Sequence, residues 1–161
     1  MKKFFALLAV VAGLFAISCE GGFDLSGIYS PEHLIAGDSD VIRWNDAEER
    51  FMISPEGCDF SINVQGVLSY MQADLASMLE YEIIYPSNYA GEEWIDAPSL
   101  EEVIDSKYLD LEVAENTTDS ERYATVKFIL SGDNALDAFY AIDLVQMPAG
   151  YTFPDNEEVV E

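Results

Sequence analysis

The sequence predicts an all-β fold, an antiparallel β-sandwich with one or two short helical insertions, and three observations carry that prediction. Leu109, Leu111 and Val113 alternate with acidic residues, while Val126, Phe128 and Leu130 alternate with Thr125, Lys127 and Ile129. That period of two marks strands with one wet face. After the turn-forming run SGDNALD, Tyr140, Ile142 and Leu144 alternate again, so residues 109–148 predict three antiparallel strands in a row. Half of the chain is apolar and 12% is aromatic, enough for one core in one domain despite a net charge of −24.

Met1-Lys2-Lys3 is a positive start, and Phe4 to Ile17 is an uncharged apolar run. The run is shorter than the roughly 20 residues of a spanning helix, so residues 1–18 predict a signal peptide. It ends at Ala16-Ile17-Ser18-Cys19, which is similar to a bacterial lipobox with Ala16 at the usual leucine position. That similarity implies cleavage before Cys19, diacylglycerol on its thiol and a lipid-anchored chain in the cell envelope, at the outer membrane. Residues 19–25, with Glu20-Gly21-Gly22, are the lipidated tether. The alternative is an ordinary secreted chain, and the sequence does not choose a membrane face.

Removing residues 1–18 takes Lys2 and Lys3 and no acid, moving the formal charge from −24 to −26. Such a surface excludes nucleic acid as a partner, because phosphate binding needs a basic patch. With Cys19 committed to lipid, Cys58 has no intrachain partner and predicts a packed free thiol.

Residues 26–49 read as an N-terminal arm in which short apolar pieces alternate with Ser30-Pro31 and Gly37-Asp38 turns. His33 is the only histidine and has no partner set around it in sequence. Asp38 and Asp40 resemble the opening of a calcium loop, but the later ligands and glycine are missing, so no metal site is assigned. The sandwich spans 50–148. Phe51 and Ile53, the turn Pro55-Glu56-Gly57-Cys58, and Phe60, Ile62 and Val64 predict a hairpin. Leu68, Met71, Leu75, Met78 and Leu79 fall at helical spacing, so residues 66–80 predict an inserted amphipathic helix, with Ser69 and Gln72 as its capping box. Tyr81 to Tyr85 is a strand. Ser99 with Glu102 predicts a second capped turn before the strand at Tyr108, and residues 149–161 predict a mobile acidic tail.

The alternating strand, Asn116, a short polar loop, Arg122, Ala124, a second strand and a last strand closing on Gln146 together resemble the C-terminal half of a BACON domain. The turn at Gly57 and the pair Trp94-Ile95 resemble the same family elsewhere, whereas the insertion near 66–80 departs from it. The resemblance implies an immunoglobulin-like sandwich with Trp94 at its centre, a solvent-facing sugar platform being the alternative role for Trp94. It also implies carbohydrate, a host or dietary glycan, as ligand. Loop tips on a rigid sandwich present such groups, so Tyr85, Asn88 and Tyr89 are the candidate carbohydrate-binding residues, with the Asn116–Tyr123 loop second. The competing expectation is a structural or protein-interaction lipoprotein that spaces or assembles other envelope proteins. No phosphate loop, CxxC, HExxH or GxSxG motif occurs, so neither an enzyme nor a cofactor is predicted.

Overall fold

A computed structural model describes residues 23–24, 30–71, 79–130 and 138–154. Ten strands form two sheets. β1 (Phe23–Asp24), β3 (Ile42–Asn45), β4 (Arg50–Ile53), β6 (Leu79–Ile84), β9 (Arg122–Leu130) and β10 (Ala138–Gln146) form the first, in the order β3-β4-β10-β9-β6 with β1 also beside β10. β2 (Ile35–Ala36), β5 (Cys58–Asn63), β7 (Ile95–Asp96) and β8 (Tyr108–Val113) form the second, in the order β2-β5-β8-β7. The predicted alternation sets the inner faces: Ala124, Val126 and Phe128 of β9 and Tyr140, Ile142 and Leu144 of β10 are buried with Phe60, Ile62, Leu109 and Leu111. An all-β, two-sheet build is therefore what the sequence folds into.

Its connectivity corrects several expectations. Arg50–Ile53 and Cys58–Asn63 are not a hairpin, since β4 pairs with β3 and β10 while β5 pairs with β2 and β8. Both strands bury one apolar face, and placing them in opposing sheets lets Phe51 and Ile53 meet the same core as Phe60 and Ile62. Gly57 makes the crossing: its φ is +80°, and a Cβ there would sit 2.3 Å from the Val113 carbonyl. Nor are 109–148 three strands in a row, because β8 lies in the second sheet while β9 pairs with β10. The sheets are also not purely antiparallel, as β1 and β4 both run parallel to β10.

The inserted helix begins earlier than its apolar spacing suggests. α1 spans Val64–Tyr70, and its N-cap is Asn63, whose side chain accepts from the Gly66 N–H at 3.0 Å. Ser69 is thus near the end of the helix rather than its cap, and Leu79 belongs to β6. Residues 72–78, including Gln72, Leu75 and Met78, lie outside the described residues. The second expected turn is α2, Leu100–Ser106, and its Ser99/Glu102 capping box is complete. The arm contributes β2 to one sheet and β3 to the other. The start of the tail is held: Arg43 donates to the Pro154 carbonyl at 2.8 Å and stacks on Phe153.

Direction along β10 organises the molecule. β1 pairs with Ala138 and Phe139 at its start, whereas the turn after β4 and the chain after Met147 meet at its far end. At about 3.3 Å per residue, nine residues separate these ends by about 26 Å.

Candidate functional site

Four segments converge at that far end: Ser54–Gly57, Tyr85–Glu93, Ala114–Glu121 and Gln146–Ala149. Buried amides hold them together. Gln146, fully buried, donates to the carbonyls of Ala114 at 2.9 Å and Ser54 at 3.2 Å, and its Oε1 accepts from Arg122 Nε at 3.1 Å. Arg122 also donates to the Ala114 carbonyl at 2.9 Å. Asn116, 1% exposed, donates to the carbonyls of Ser120 and Met147, both at 2.9 Å, while its Oδ1 accepts from the Thr118 N–H and hydroxyl. Its own N–H reaches the Pro55 carbonyl at 2.7 Å. Buried polar groups bound on every side fix loop geometry because breaking any of them leaves an unpaired group.

The aromatic half of the site grows from β6. Past Ile84, Pro86 and Tyr89 close a turn, with the Tyr89 N–H on the Pro86 carbonyl at 2.8 Å. Tyr85 and Tyr89 stack with centroids 5.3 Å apart, and Tyr85 meets Trp94 edge-on at 6.1 Å. The Tyr85 hydroxyl accepts from the Ile95 N–H at 3.2 Å, and the Tyr89 hydroxyl donates to the Glu92 carbonyl. Gly91 makes room, since a Cβ there would lie 2.6 Å from the Tyr89 hydroxyl oxygen. On the other side of Trp94 the Arg122 guanidinium lies 5.0 Å from the ring centroid. Burial lowers the Arg122 pKa, which the neighbouring Tyr89 and Tyr85 partly offset, and burial raises that of Tyr85.

Tyr85, Asn88 and Tyr89 therefore share one loop, but in unequal states. Asn88 is exposed, while both tyrosines are half-buried and their hydroxyls are engaged inside the loop. Trp94 is 2% exposed and fills the core, so it is not a solvent-facing platform, and its Nε1 is buried without a hydrogen-bond partner. The roles of Arg122 and Gln146 as the joint between Trp94 and the Ala114 loop were not legible, since their partners are main-chain carbonyls far off in sequence. Around this frame the exposed groups are Asn88, Glu92, Glu93, Glu115, Asp119 and Glu121. Half-buried rings beside amides and carboxylates can pack on an apolar ring face and hydrogen-bond to hydroxyls.

Other positions singled out by sequence have local roles. Asp38 closes a turn by accepting from the Asp40 N–H at 2.9 Å, and Asp40 pairs with Arg43 at 3.6 Å. Cys58 is half-buried and free. Cys19 lies outside the described residues. An open hollow of about 510 Å³ on the outer face of the second sheet is lined by Asp59, Asp96, Glu102, Asp110 and Glu112. No family model, curated protein or solved structure matches this chain.

Proposed function

We propose that this protein is a lipid-anchored module of the cell envelope, immunoglobulin-like and BACON-like in build, that binds carbohydrate at its anchor-distal loops. The observation that carries this reading is polarity of construction. β1 begins four residues after Cys19 and joins the start of β10, so a lipid at Cys19 puts Tyr85, Asn88, Tyr89 and the Asn116 loop at the opposite end. The strand orders support the immunoglobulin-like assignment: β2-β5-β8-β7 corresponds to an A-B-E-D sheet and β6-β9-β10 to C-F-G. Two or three acyl chains on Cys19, at about 0.8 kcal/mol per buried methylene, make a durable anchor. The site is the outer membrane, where a sandwich with a rigid distal end meets its ligand.

One observation favours the competing reading, a structural or protein-binding lipoprotein. The hydroxyls of Tyr85 and Tyr89 are already engaged, which leaves only ring edges, Asn88 and carboxylates for a ligand. A glycan array including mucin O-glycans, probed with the chain from Glu20 onward and with an Asn88→Ala/Tyr89→Ala variant of unchanged circular dichroism, separates the two. Binding that the variant loses supports the carbohydrate reading; silence across the array sinks it in favour of an envelope protein partner.

A further inference from the structure

The anchor-side end of the sandwich differs from the distal one. Four residues separate Cys19 from Phe23, and four residues span at most about 14 Å, so whatever their path the start of β10 stays close to the acyl chains. α1 closes this end. Val64, Val67 and Leu68 are buried, Gly66 packs on Leu34, and the Tyr70 ring lies 5.8 Å from Tyr140 of the first sheet. Its exposed positions are Gln65 and Ser69, so in a chain with 31 acidic residues the helix presents an uncharged surface. Beside it, where α2 runs into β8, Ile104 is 41% and Tyr108 is 44% exposed, with the exposed Lys107 between them. The nearest acids in sequence are Asp105 and Glu101 of α2. The distal end instead exposes Glu56, Glu92, Glu93, Glu115, Asp119 and Glu121, a surface that anionic headgroups repel.

We infer that this anchor-side end rests on the lipid bilayer, with Ile104 and Tyr108 in the interfacial layer, Lys107 at the headgroups and the outer face of α1 against them. The inference rests on the lipid anchor proposed above. Tyrosine suits the interface because its ring is apolar and its hydroxyl wet, and a lysine stem lies along the surface while its ammonium stays in water. Docking would fix the tilt of the sandwich, so that the distal loops point away from the membrane rather than swing on a loose tether.

The test uses the full lipidated chain in phosphatidylethanolamine and phosphatidylglycerol vesicles with brominated acyl chains, comparing Tyr108→Trp with Asp119→Trp after subtraction of the Trp44 and Trp94 background. The expected result is blue-shifted emission from position 108 that bromine quenches several-fold more than emission from position 119. Equal, weak quenching at both positions overturns docking while leaving the anchor intact. Mass spectrometry of the mature N-terminus is read alongside, because a Cys19 without acyl chains overturns the anchor reading and docking with it.

Discussion

Gln146 and Cys58 show how a single buried group sets behaviour far from its own position. The Gln146 amide holds the Ser54, Ala114 and Arg122 groups together from inside the sandwich. Gln146→Leu keeps the volume but leaves those partners unpaired, and each buried unsatisfied group costs about 1–3 kcal/mol, so a loss of about 3 kcal/mol is expected. A urea melt measures it, and a shift in midpoint under a quarter of that size would show that water replaces the amide. Cys58 acts through protons. Burial, and then the nearby Asp59, push its thiol from 9.0 up to about 11. Between those values the folded chain keeps a proton that the unfolded chain has lost, so stability is full below pH 9 and falls as pH climbs toward 11. The Tyr140 phenol, raised mainly by burial, adds to the same alkaline loss. Cys58→Ala should flatten the stability profile between pH 9 and 11 by on the order of 1 kcal/mol, after discounting for a half-exposed group. Melting temperatures across that range check it.

At the scale of elements, what was legible is what depends on neighbours in sequence. The capping box of α2 is an example: Ser99 Oγ accepts from the Glu102 N–H while Glu102 returns to the Ser99 N–H at 2.8 Å. Those bonds also lower the Glu102 pKa, so the cap weakens as pH falls and the carboxylate takes up a proton. Ser99→Ala should cost about 1 kcal/mol by thermal melt at pH 7. A cost that did not shrink in acid would show that the Glu102 half of the box adds nothing. Strand alternation was legible for the same reason, and so was burial of Trp94. The start of α1 was not, because Phe60, Ile62 and Val64 continue a period of two while Asn63 already turns the chain. Sheet membership was least legible of all. A Pro-acid-Gly turn serves a hairpin or a crossing between sheets equally well, and only the Gly57 contact with Val113, 56 positions away, distinguishes them.

On the whole molecule, charge is the quantity the sequence states most plainly and the fold disposes least evenly. A net charge of −24 opposes compaction by self-repulsion, and the second sheet concentrates that cost. Its register sets Asp59 directly opposite Glu112 and Glu112 directly opposite Asp96, so three exposed carboxylates stand in one line across β5, β8 and β7. Like charges at directly paired strand positions destabilise by about 0.2–1 kcal/mol per pair, and Glu112 belongs to both pairs. Neutralising it as Glu112→Gln should therefore stabilise the protein by about 1 kcal/mol at low salt, an uncommon sign for a point substitution. Salt should do the same work for the unaltered chain: the Debye length shrinks from about 30 Å at 0.01 M to about 10 Å at 0.1 M, so added sodium chloride should raise its melting point. Because both changes relieve one repulsion, their effects should overlap, and the advantage of Glu112→Gln should narrow as salt rises. Chemical melts of both chains at the two ionic strengths decide the matter. A gain from Glu112→Gln that stays constant with salt would assign the effect to glutamine packing on the strand instead of to charge.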